Sequence, residues 1–182
     1  MQKTLSNTYA RPRSHTYDLI ITAMCIALVF VATLFLNIRL PISINGGLVH
    51  LGTAMLFIVT LLFGPKKGMI VGAVGMGLFD LFSGWTLWAP FTFVTRGLQA
   101  YIVGSIAFYA GRNGRSIPFN IFGILASIPV MLAGYYLCEG ILFGNWIAPA
   151  TSIPGNLLQN GIGLLVAIPV VAVLKKMPMF RS

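Results

Sequence analysis

Arg96 stands inside an apolar run, Pro90 to Ala110, with Thr92 four residues before it and Gln99 three after. That i, i+4, i+7 spacing puts the three on one face of a helix, which turns apolar again at Val103. A second run, Gly155 to Leu174, carries Asn156, Gln159 and Asn160 at i, i+3, i+4, followed by Gly163. Asp80 lies two residues before the end of another run, Glu139 just after a further one, and His50 opens one behind Gly46 and Gly47. Five segments thus bring one cation, two anions, several amides and an imidazole to similar depth. Such a set suits a hydrated or ligand-filled cavity, where hydrogen bonds and charge hold a small molecule. It does not suit catalysis. No H-E-x-x-H, G-x-S-x-G or phosphate-binding G-x-x-x-x-G-K-[ST] pattern occurs, so the chain is expected neither to be an enzyme nor to hydrolyse ATP itself. Cys25 and Cys138 are far apart with no second Cys or His beside them, so no metal and no cofactor is expected.

The segments that must position these groups read as lipid-embedded helices. Hydrophobic residues make up 57% of the 182, and only 8% are charged, too few to cover a water-soluble surface. Six runs can cross a bilayer: about 17–36, 49–63, 68–82, 90–110, 119–137 and 155–174, the second and third being short. The first is too long, and lacks the small-residue cleavage pattern, for a removable signal peptide. The expected fold is therefore an all-α integral membrane bundle of six transmembrane helices, spanning 17–174 between basic tails at 1–16 and 175–182.

Charge gives the orientation. Lys3, Arg11 and Arg13 precede the first span; Lys66 and Lys67 fill the second connection, Arg112 and Arg115 the fourth; Lys175, Lys176 and Arg181 follow the last span. These ten lie on one side, Arg39 alone on the other, and Arg96 within a span. Basic loops stay in the cytoplasm, which places both termini there and makes nucleic acid unnecessary as an explanation of the net charge of +9. Trp85, Trp88 and Trp146 all fall on the outer side. They fit either an interfacial belt or a wall over an outward-facing pocket for a flat ligand.

Ions inside a membrane cost several kcal/mol unless paired or hydrated. Two accounts of the polar groups stay open: the cavity, or an Asp80–Arg96 ion pair with amides that merely join neighbouring helices. In the first span, Ala23 and Ala27 form a small-xxx-small face on which another helix, of this chain or of a partner, can pack closely.

The chain resembles the substrate-binding S components of energy-coupling factor (ECF) vitamin transporters. The likeness covers nearly its whole length and is carried by several fragments in order. They are Ala23 and Ala27, the Gly-rich stretch Pro41 to Gly47, the run Phe63-Gly64-Pro65-Lys66-Lys67-Gly68, the run Gly77 to Gly84, Pro90 with Arg96-Gly97-Leu98, and Pro154-Gly155-Asn156 with Gln159. Many relatives carry Lys where this chain has Arg96. The resemblance implies a multi-pass protein of a prokaryotic cell membrane that binds a vitamin or vitamin precursor and has no transport power of its own. Energy would come from a membrane coupling (T) subunit and two cytoplasmic ATPases, with Ala23 and Ala27 docking on the former. The site expected on this reading comprises Arg96, Gln99, Asn156, Gln159, Asn160, His50, Asp80, Trp85, Trp88, Glu139 and Trp146. One cation, marginal anions, amides and indoles suit a small, flat, neutral heterocycle: hydroxymethylpyrimidine or a pyridoxine-like compound first, then riboflavin, or pantothenate with its carboxylate on Arg96. The rival is a self-sufficient secondary carrier or channel, for which inverted repeats and broken helices at mid-membrane would speak; no convincing internal repeat is found, and the polar groups sit off-centre.

Overall fold

A computed structural model describes residues 15–39 and 48–180. The expected Gly-rich stretch Pro41 to Gly47 and the tail cations Lys3, Arg11, Arg13 and Arg181 lie outside the described residues. Six α-helices form a bundle: α1 His15–Phe35, α2 Gly52–Phe63, α3 Pro65–Phe82, α4 Ala89–Ala107, α5 Ile117–Phe143 and α6 Ile153–Leu174. Two short strands, β1 Asn37–Arg39 and β2 Leu48–His50, pair antiparallel between α1 and α2, with Asn37 opposite His50. The second span was expected to begin at Val49. Instead Val49 pairs with Ile38 in the ladder, and the helix starts three residues later, at Gly52.

At only 12 residues α2 is the shortest helix, yet it sits at the centre, packing on α1, α3, α4 and α6. Nine of its residues are buried, among them Leu56, Phe57 and Leu61, so its apolar character is spent on protein neighbours and not on lipid. α5 packs outside this set, on α4 and α6. α1 is the opposite case: only Cys25, Val29 and Thr33 are buried, and Leu19, Ile20, Met24, Leu28 and Val31 face outward. α1, α5 and the segment Ala148–Leu174 are each long and apolar enough to cross a bilayer, by length and composition. α3 and α4, which carry Asp80 and Arg96, pack most extensively on each other. Their close approach needs small residues: a Cβ on Gly104 of α4 would come within 2.4 Å of the Pro65 backbone at the start of α3.

α5 runs further than expected. Glu139, assigned to the loop after a span ending at residue 137, lies within the helix, which stops at Gly144 in the left-handed region (φ 61°) where glycine is favoured. The carboxylate is tolerated there because the Ser152 hydroxyl donates to its Oε2 at 2.9 Å. Internal Pro129 and Pro169 sit in continuous helices with their rings exposed. Cys25 and Cys138 are free and buried.

Candidate functional site

α4 enters the bundle at Ala89 and α6 at Ile153, both from the end that carries the hairpin and the α3–α4 loop. Residues of α3, α4, α5 and α6 near this end, with the hairpin and the connecting loops, surround a cavity of about 70 Å3. Aromatic walls come from Phe79, Trp85, Trp88 and Tyr135, and polar ones from Asp80, Arg96, Glu139 and Asn156. His50 and Ser152 complete the lining with Leu48. Trp88 occupies the N-cap position of α4 and meets Trp85 edge-on at 5.0 Å between ring centroids.

Arg96 is 2% exposed, and its bonds explain how a cation survives there. Nε donates to the Tyr135 hydroxyl at 3.1 Å, and Nη1 to Gln99 Oε1 at 2.9 Å and Thr53 Oγ1 at 3.4 Å. The guanidinium also lies 5.1 Å from the Tyr135 ring centroid, a cation–π distance. Nη2 remains for whatever occupies the cavity that Arg96 lines. The expected alternative of a direct Asp80–Arg96 ion pair is not what the structure contains; among the described residues the salt bridge is Lys67 to Asp18. Hydroxyls surround the guanidinium instead: Tyr135 and Thr92 share a hydrogen bond of 3.0 Å, and the Thr92 hydroxyl interacts electrostatically with the Asp80 carboxylate. Arg96 and Asp80 both line the cavity without pairing to each other, so each keeps hydrogen-bonding capacity on the cavity side. His50 adds an unused group, because its buried Nδ1 has no partner.

The expected set divides by depth. Arg96, Asp80, Glu139, His50, Trp85, Trp88 and Asn156 line the cavity. Gln99, Gln159 and Asn160 do not. They form its floor: Gln99 Nε2 donates to Asn160 Oδ1 at 2.8 Å, and Gln159 Nε2 to Thr53 Oγ1 at 2.8 Å. Gln159 Oε1 in turn accepts from the His50 backbone N–H at 3.3 Å, tying the hairpin to α6. Each amide is 1% exposed or less, and its bonds join helices. A helix rises about 1.5 Å per residue, so Gln99 lies roughly 5 Å below Arg96, and Asn160 about 6 Å below Asn156. Trp146 is also elsewhere. It is 52% exposed, covers Gly140 and lies 6.2 Å from Tyr136, whose hydroxyl donates to the Trp146 carbonyl at 2.5 Å. Tyr135, Phe79 and Ser152 were missed. Tyr135 had a readable signal, one helical turn before Glu139 on the same face.

A cavity walled by indoles and edged by buried charges, inside a helical membrane bundle, is the architecture of a membrane protein that captures a small molecule. Its family follows from comparison. Residues 13–176 match the family model of the ECF-type riboflavin transporter S component, and the chain belongs to that family: it is the substrate-specific subunit of an ECF vitamin transporter, embedded in the membrane. A protein of Pyrococcus woesei, an uncharacterized product of the gap 3′ region, is 31% identical over 135 residues, 70% of this chain and 88% of the relative. The thiamine precursor transporter HmpT of Lactococcus lactis subsp. cremoris is 26% identical over 149 residues, 82% of each chain. The solved S component of a bacterial ECF transporter shares the fold, with TM-score 0.67 and 24% identity over 88% of this chain and 96% of that one.

Proposed function

We propose that the hairpin-end cavity holds a single-ring vitamin precursor of the aminopyrimidine or pyridoxine class, and that the chain delivers it to an ATP-driven importer. The observation that carries this is the wall composition: four aromatic rings with two carboxylates and a guanidinium lining one cavity. A flat heterocycle stacks on indole faces, its exocyclic N–H or O–H groups donate to Asp80 or Glu139, and its ring nitrogen accepts from Arg96 Nη2 or Asn156. Size favours the smaller ligand: a cavity of about 70 Å3 must widen even for a substituted single ring, and a tricyclic flavin with its sugar-alcohol tail would require it to open much further. The name of the Lactococcus relative agrees with a pyrimidine precursor, while that of the family model speaks for riboflavin, so the two are the competing ligands.

On this reading both termini face the cytoplasm, a T subunit and two ATPases supply the energy, and hydrolysis occurs only in the latter. Ala23 and Ala27 are exposed on α1, leaving the small-residue face open to a coupling subunit. Titration of the purified chain with 4-amino-5-hydroxymethyl-2-methylpyrimidine, pyridoxine, riboflavin and pantothenate, followed by Trp fluorescence and calorimetry, tests the assignment. Tightest one-to-one binding of a single-ring compound is expected; tighter binding of riboflavin overturns it. Ala23→Trp or Ala27→Trp should leave that affinity unchanged and abolish ATP-driven uptake, and normal uptake would reject the docking role.

A further inference from the structure

The opposite end of the bundle carries a larger cavity, of about 500 Å3, to which the vitamin reading assigns nothing. Lys66, Lys67 and Lys175 line it, with Asp18 as the acid among its wall residues and Phe63 and Phe108 on its apolar side. Ile70 of α3 belongs to this cavity and Phe79 to the other, so about 13 Å of helix separates the two. Topology alone accounts for lysines near these loops, but such lysines extend into water. Here two are fixed on the wall. Lys175 Nζ donates to the Asn113 carbonyl at 2.8 Å and the Leu62 carbonyl at 3.3 Å, 5.4 Å from the Phe108 ring centroid. Lys67 is bonded to Asp18, 5.3 Å from the Phe63 ring centroid, with only 15% of its side chain exposed. The 18-residue α3 begins at the same place, so its first-turn N–H groups and the positive end of its dipole add to the field of the lysines. Burial, with the charge of nearby Arg115 secondary, lowers the Lys175 ammonium from its usual value to about 8.

We propose that this cavity is a binding site for a phosphate-bearing anion with an apolar body, either a phospholipid headgroup or a phosphorylated small molecule. The phosphate would bridge Lys66 and Lys175 near the start of α3, with the apolar portion against Phe63 and Phe108. Lys67 remains with Asp18.

Two measurements separate the sources. Native mass spectrometry of the full chain in detergent, with phosphatidylglycerol or phosphatidylcholine added, reads lipid retention. Calorimetry of the chain in phosphatidylcholine nanodiscs, titrated with phenyl phosphate, reads the soluble ligand. Each is repeated for Lys66→Gln/Lys175→Gln and for Lys176→Gln, a neighbouring charge that does not line the cavity. Each near-surface lysine contributes on the order of 1 kcal/mol to an anion, so the double variant should lose about tenfold or more in one of the two measurements, and Lys176→Gln much less. Thermal midpoints check folding. Should the double variant not fold, Asn113→Asp, which sets a carboxylate beside Lys175, takes its place and should give the same loss. The proposal is overturned if the wild type shows neither selective retention nor phenyl phosphate binding. It is equally overturned if Lys176→Gln is as damaging as the double variant, or if Asn113→Asp changes nothing.

Discussion

Tyr135→Phe removes one oxygen and leaves the ring wall and the cation–π contact with Arg96 in place. That oxygen accepts from Arg96 Nε at 3.1 Å and pairs with Thr92 at 3.0 Å. If Arg96 binds the ligand through Nη2, the tyrosine acts by holding the guanidinium in register. Hydrogen bonds to charged groups contribute about 1.5–3 kcal/mol, and a flexible Arg96 would recover part of the loss by turning toward the ligand, so an affinity loss of roughly tenfold is expected. Arg96→Ala removes the contact itself and should cost toward 100-fold, the upper part of the same range. The pair makes a double-mutant cycle. Fluorescence titration of both single variants and the double with the aminopyrimidine should show Tyr135→Phe adding nothing once Arg96 is gone. Additive losses would refute the positioning role and put the Tyr135 hydroxyl on the ligand directly; unchanged affinity in both single variants would remove Arg96 from the site.

Three other outcomes follow from the division between wall and floor. Asn156→Ala should weaken binding with a small change in thermal midpoint, whereas Asn160→Ala, which strands Gln99, should lower the midpoint by several degrees; the reverse pattern in paired melting and binding curves would undo the division. Ligand-induced quenching should vanish in Trp85→Phe/Trp88→Phe and persist in Trp146→Phe, and quenching carried by Trp146 would contradict its place outside the cavity. Lys175 faces Arg115, with Lys66, Lys67 and Asp18 across the cavity. Its folded-state value, about 8, lies below its usual 10.5, so between these values the unfolded chain binds the extra proton and stability should rise with pH, whereas below about 8 this contribution is flat. Denaturation of the wild type and of Lys175→Met between pH 7.5 and 10.5 checks it, and an equal slope in both would discard the assignment.

The parts of this structure that were legible in sequence, and those that were not, separate along a physical line. Helices built on runs of about 20 apolar residues declare themselves because lipid leaves the backbone few alternatives. Strands of three residues do not, since β1 and β2 gain their stability from partners across an eight-residue gap and from the Gln159 bond to His50. Helical spacing grouped Thr92, Arg96 and Gln99 correctly on one face, but a face is a stripe along the axis and a cavity occupies only one level of it. Which residues of the stripe meet a ligand depends on where each helix enters the bundle and how far each side chain reaches. Arg96, with its long side chain, lines the cavity from seven residues past Ala89, and Asn156 does so from the first turn of α6, while Gln99 and Asn160, equally polar and equally aligned, spend their amides on each other. The ion-pair alternative gives way for a related reason: the Arg96 guanidinium is held by Tyr135, 39 residues further along the chain, and by Gln99 and Thr53. Of the two accounts that sequence left open, the amides that join helices and the cavity coexist, without the Asp80–Arg96 pair. The lower amides lock the helices, and the charged groups line the cavity above them.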